Sequence, residues 1–139
     1  MRKLLVAALI LFGTAAPSHA DFEKALDAYK EGKHSTAYAR FMPLAKMGDP
    51  RSRLMIGVMY GEGKGVKTDD FMAHVWFILA SNAARTGKLH ELAEKYRFVF
   101  SEDLTTADMI EAGRLARQWS TQWRREMMGW GRHVGRPKS

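Results

Sequence analysis

The sequence predicts an all-α protein, a short αα-hairpin solenoid of about three helix pairs with a C-terminal capping helix. Three observations carry this reading. Strand-type alternation of apolar and polar residues is hard to find, while runs rich in Ala, Leu, Met, Lys, Arg and Glu dominate. Helix-start and helix-stop residues recur in pairs along the chain. Ala37 and Ala73, each early in the second helix of a pair, are thirty-six residues apart, a period at which stacked helix pairs bury their faces on one another. At 139 residues the chain is long enough for one domain with a modest core.

Residues 1–20 are set aside from the fold. Arg2 and Lys3 open the chain, Leu4 to Phe12 form an apolar run too short to span a bilayer, and Ser18-His19-Ala20 ends it with small residues at the two positions a signal peptidase reads. The order predicts a secretory signal cleaved near Ala20, a mature chain from Asp21 and, in a bacterium, a periplasmic or secreted destination. The chain has no Cys, which excludes a lipoprotein-type anchor, disulfides, thiolate zinc sites and cysteine nucleophiles.

The elements follow in order. Asp21 is read as the cap of a first helix from Phe22, with Phe22, Ala25, Leu26 and Tyr29 on one stripe and Gly32 as its stop. Ser35 is read as the cap of a second, whose face is Ala37, Phe41, Leu44 and Met47; Pro43 within it is expected to kink it or break it early. Gly48, Asp49 and Pro50 supply a left-handed stop, an N-cap and a favoured first helical residue. A third helix runs from Pro50 to near Tyr60, its apolar residues Leu54, Ile56, Gly57, Val58 and Tyr60. Thr68 or Asp69 caps a fourth that ends near Gly87, with Ala73, Trp76, Ala80 and Ala83 on one face and Phe71, Val75 and Leu79 beside it. A fifth spans Lys88 to Phe100. Thr105 and Asp108 fit a capping box opening a sixth helix, with Ala112, Leu115, Ala116, Trp119 and Trp123 on one face. The helical domain is placed at 21–125, and 126–139 reads as a basic tail that frays from Gly129.

The stretch GEGKGVKTDD, Gly61 to Asp70, bears on function. A Rossmann glycine loop follows a strand, but Leu54 to Tyr60 reads as helix. A P-loop needs G-x-x-x-x-G-K-[ST]; Gly61 and Gly65 are one residue too close, and Val66 stands where the lysine belongs. As a turn every residue fits: Gly61, Gly63 and Gly65 supply positive φ, Val66 drops into the seam between helices, and Thr68 or Asp69 restarts the backbone.

With these residues in view, the segment from Asp49 to Ala84 resembles the Sel-one-like repeat (SLR) family, a relative of the tetratricopeptide repeat with two antiparallel helices per unit. The likeness lies in Gly57-Val58-Met59-Tyr60, then Gly63-x-Gly65-Val66, then Asp69, Ala73, Trp76 and Ala80. Ser52 and Ile56 replace a usual Ala and Leu, and Asp70 stands where an aromatic is common. Phe22 to Gly48 resembles a degenerate first repeat, and Leu104 to Trp119 the capping helix of short secreted members. The resemblance implies that Gly57 lets two helices approach, that Tyr60, Val66, Ala73 and Trp76 fill seams, and that none of these positions is catalytic. It implies adaptor work, with a partner protein or peptide held in the groove along the inner helices. A cysteine-rich branch of the family is associated with β-lactams; the absence of Cys removes that likeness.

Charge is uneven. The net charge is +7, yet Arg114 to Ser139 carries seven basic residues against Glu126 alone, and Asp21 to Gly113 is close to neutral. The basicity is local and is not the footprint of a nucleic-acid-binding domain. Trp119, Trp123 and Met127 form a stripe, with Trp130 following among Arg124, Arg125, Arg132 and Arg136. The stripe is read as the seal of the open solenoid end, with the arginines keeping it soluble. The rival reading makes the arginines candidate contacts for anionic lipid or a cell-wall polymer. His34, His74, His90 and His133 show no i, i+4 pairing, no G-x-S-x-G elbow is present, and Glu91 and Glu94 read as solvated partners of Lys88 and Lys95. No cofactor, metal or catalytic residue is expected. An envelope hydrolase would need a convergent titratable pair in a pocket.

Overall fold

The computed structural model describes residues 18–133, the side chains of 130–133 excepted. Six α-helices make up the fold: α1 His19–Lys30, α2 His34–Lys46, α3 Pro50–Glu62, α4 Asp70–Ala84, α5 Gly87–Val99 and α6 Thr106–His133. No strand occurs among the described residues. From α1 to α5 each helix packs on the next, whereas α6 lies against α4 instead of returning along α5.

The core follows from that arrangement. Its main cluster takes Phe22 and Ala25 from α1, Ala37 and Phe41 from α2, Ile56 and Met59 from α3, Val75, Trp76 and Leu79 from α4, and Ala112, Ala116 and Trp123 from α6. A smaller cluster joins Leu54, Ala73, Phe77, Ala80 and Ala93, with Tyr96 and Phe100 packed against it.

Most helix ends obey local chemistry. Gly48 has φ +100, Asp49 accepts a hydrogen bond from the Arg51 backbone N–H, and Pro50 begins α3, so the junction forms as the sequence predicts. Asp69 caps α4 by accepting from the Met72 N–H at 2.9 Å. Before α6, the Thr105 N–H donates to the Asp108 carboxylate at 2.9 Å and the Asp108 N–H donates to Thr105 Oγ1 at 3.1 Å, the reciprocal capping box.

Other boundaries differ. Ser18, not Asp21, caps α1: its hydroxyl accepts from the Asp21 N–H at 3.1 Å. The helix thus starts three residues ahead of Phe22, with Asp21 in its first turn where a negative charge suits the helix dipole. Residues 1–17 of the expected signal lie outside the described residues. Lys33 is the N-cap of α2 and makes no side-chain cap, so Ser35 is already inside the helix. That helix runs on through Pro43 to Lys46. Met47 is 40% exposed and contributes nothing to the α2 core face, where Ala45 is buried instead. Helix α4 stops at Ala84, with Arg85 at φ +61, and Gly87 opens α5 instead of closing α4. Helix α6 passes through Gly129 to His133, beyond the expected onset of fraying.

The glycine stretch is a helix-to-helix turn. Gly63 and Gly65 take φ +66 and +79, but Gly61 is inside α3 and has no left-handed role. Its hydrogen is needed for packing: a Cβ there would sit 2.6 Å from Phe100 Cζ. Gly57 serves the same purpose against Phe77, whose Cε1 would be 2.6 Å from an added Cβ. Val66 is half-buried on the main core.

Candidate functional site

Helices α2, α4 and α6 converge around Trp76, which is 2% exposed. Its ring lies 5.7 Å from Trp123, nearly parallel at 20°, and 5.7 Å from the tilted ring of Trp119. The sequence places Trp119 and Trp123 one turn apart on the Ala112–Ala116 face, so α6 presents both rings to α4. Trp119 and Trp123 therefore look inward, away from the exposed Arg124 and Arg125 with which the rival reading grouped them. The buried Trp76 Nε1–H finds no acceptor among the described residues.

Above this cluster lies a cleft of about 410 Å³ lined by Tyr38, Met42, Met72, Trp119 and Trp123, with Lys46 and Gln122 among its polar residues. Tyr60 closes one side: its hydroxyl and that of Tyr38 share a hydrogen bond of 3.1 Å, their rings edge to face. Burial, reinforced by the Tyr60 hydroxyl, raises Tyr38 well above the ordinary phenol range, so Tyr38 stays neutral and donates or accepts hydrogen bonds only. Large rings and adaptable thioethers suit the docking of an apolar polypeptide segment.

Of the repeat-motif positions, Ala73, Trp76 and Ala80 are buried, while Gly57, Gly63, Gly65 and Asp69 shape the backbone. Only Tyr60 and Trp76 also border the cleft. Arg124 and Arg125 are exposed on α6, Arg132 belongs to its last turn, and Arg136 lies outside the described residues.

Sequence reasoning missed Arg53. Its side chain is 8% exposed; Nε donates to the Ala45 carbonyl at 2.8 Å and Nη1 to the Leu79 carbonyl at 3.1 Å. Its guanidinium also lies 5.7 Å from the Trp123 ring centroid. One side chain of α3 thus ties α2, α4 and α6 together. The only signal was its place one turn before Ile56 and Gly57 on an inward face.

A second cleft, of about 640 Å³, opens where α5 and α6 diverge over α4. His74, Ile78 and Asn82 form its floor at helical spacing; Glu94, Arg97 and Phe98 stand on the α5 side; Met109, Gly113 and Arg117 form the α6 side. Glu94 is not the partner of Lys88 or Lys95: it accepts from Ser81 Oγ and pairs with Arg97. Burial pushes its carboxyl up, but the bonds from Ser81 and Arg97 together outweigh that and its pKa is lowered. His74 is 4% exposed, and its Nδ1 lies 3.1 Å from the Arg97 carbonyl. A carbonyl only accepts, so Nδ1 carries the proton.

Burial lowers the His74 pKa below its ordinary 6.5, against an opposing bond to the Arg97 carbonyl. In the unfolded chain the ring takes up its proton first as pH falls. Its contribution to stability is therefore complete above about pH 6.5 and is lost progressively below it. Urea midpoints measured from pH 7.5 down to 5 are expected to fall less in His74→Asn than in the parent chain. Parallel curves would contradict a buried neutral imidazole.

No protein-family model, curated protein or solved structure matches the chain. Among the described residues no cluster of three or more His, Asp or Glu side chains is placed to hold a metal ion, and no helix is long and apolar enough to cross a membrane.

Proposed function

We propose that the chain is a non-catalytic protein-interaction module of the bacterial cell envelope, a short Sel-one-like helix-pair solenoid closed by α6. The observation supporting it is the cleft between α2, α4 and α6, where Tyr38, Met42, Met72 and Trp119 remain partly exposed over a rigid tryptophan floor. The partner is then a polypeptide segment seated on the α2–α4–α6 side, a departure from the inner-helix groove that the family resemblance implies. Envelope placement rests on the charge, apolar run and small residues of the first twenty positions.

Capture from envelope extract tests the reading. The parent chain is expected to recover a defined protein, and Met42→Glu combined with Met72→Glu to lose it without a change in melting temperature. Recovery of nothing, or the same recovery by the variant, rejects the proposal.

One observation favours a second reading. Arg114, Arg117, Arg124 and Arg125 are exposed on the side of α6 opposite Ala112, Ala116 and Trp123. A basic helix face of this kind suits anionic lipid or an anionic cell-wall polymer, with each arginine contributing roughly 1 kcal/mol near a charged membrane. Truncation after Gln118 would take Trp119 and Trp123 from the core, so Arg124→Glu with Arg125→Glu is the cleaner variant. It is expected to abolish salt-sensitive binding to phosphatidylglycerol vesicles; binding that persists excludes the lipid reading.

A further inference from the structure

The cleft between α4, α5 and α6 has features that packing alone does not require. Gly113 is in the interior of α6, where glycine costs about 1 kcal/mol relative to alanine. Neither a turn nor a close helix approach explains it: its φ is not positive, and an added Cβ would meet only Arg117 Nη1, at 3.7 Å. The missing side chain leaves the middle of the α6 wall open. Phe98 is 75% exposed beside it, and Met109, at 38%, stands one turn before Gly113. These are large apolar side chains left in water next to a concave surface, an arrangement typical of binding sites.

The polar groups of the cleft are unevenly satisfied. Glu94 is neutralised by Arg97. Arg117 also lines the cleft, and no carboxylate among the described residues pairs with it. On the floor, His74 commits Nδ1 to the Arg97 carbonyl, and Nε2 has no hydrogen-bond partner among the described residues. With the proton on Nδ1, Nε2 is a lone-pair acceptor. Among the described residues the cleft therefore offers a cation without a carboxylate partner, an acceptor in His74 Nε2 and an apolar wall. A peptide with a carboxylate, an N–H and a large apolar side chain complements all three.

We propose that this cleft is a second docking site, which binds a partner-protein segment in which an acidic residue adjoins large apolar residues, the carboxylate meeting Arg117, a backbone N–H meeting His74 Nε2 and an apolar side chain packing against Phe98 and Met109. The assignment rests on the reading of the chain as a protein-interaction module and names a second site for it. The Arg117 guanidinium provides the fork that a carboxylate fits.

The test uses the purified chain and a defined probe, acetyl-Leu-Asp-Phe-amide, with acetyl-Leu-Asn-Phe-amide as its uncharged isostere. Methyl resonances of Ile78 and Met109 report binding. The acidic peptide is expected to shift both saturably, and the isostere to bind roughly tenfold more weakly. Arg117→Gln is expected to remove the preference for the acidic peptide, and Gly113→Leu to block both peptides while raising helix stability. Equal binding of the two peptides, no shift at either methyl, or full binding by Gly113→Leu overturns the proposal. Capture through Met42 and Met72 reads a different surface, so either result can fail without the other.

Discussion

Trp76→Ala is expected to lower folding stability by about 3–5 kcal/mol, the range for a fully buried large aromatic. The expectation is at the upper end because the ring is shared. Trp123 stacks on it and Trp119 packs against it at a tilt, and Trp123 also lies beneath the Arg53 guanidinium that bonds α2 and α4. Its removal leaves a void where α6 grips α4 with the rings of Trp119 and Trp123. Urea unfolding followed by circular dichroism measures the loss. Trp76→Phe supplies the control: it keeps a ring in the stack and deletes the Nε1–H that finds no acceptor, so it is expected to cost much less. A loss below about 1 kcal/mol for the alanine variant would mean that α6 is held by other contacts.

Gly65→Ala is the second large effect, and it separates two causes. Gly65 and Gly32 have nearly equal positive φ, +79 and +76. At Gly32 an added Cβ meets nothing within 4 Å; at Gly65 it would lie 2.7 Å from the His34 carbonyl oxygen and 2.8 Å from its carbon. Gly32→Ala is therefore expected to cost only the left-handed penalty, about 1–2 kcal/mol. Gly65→Ala carries that penalty and about 1–3 kcal/mol more from overpacking against backbone, which cannot rotate away. Thermal and urea unfolding of the two variants should differ accordingly. Equal losses would show that the turn shifts freely away from α2.

What the sequence made legible was what neighbouring residues decide. Gly48-Asp49-Pro50 and the Thr105–Asp108 box each consist of a few adjacent side chains acting on adjacent backbone, so their types and order suffice. The stripe from Ala112 to Trp123 is likewise periodic within one helix. Gly61 was misread because a glycine that avoids a clash and a glycine that takes positive φ are the same letter; only Phe100, far along the chain, distinguishes them. Ser18 was missed because it falls in the segment set aside as a leader. The path of α6 along α4 could not be read, since any apolar stripe asks for a partner without naming one. Both clefts share that difficulty: Met42, Met72 and Trp119 come from three helices, as do His74, Phe98 and Arg117. Arg53 was not singled out, because the carbonyls it bonds, those of Ala45 and Leu79, belong to two other helices.

The route of α6 also governs when the molecule acquires its shape. Phe22 in α1 and Trp123 in α6 belong to the same apolar cluster, so the cluster is completed only once α6 has been made. A growing polypeptide leaves the Trp76 surface bare until α6 arrives. The same rod occupies the flank of α4, so nothing else can pack there without prising it loose.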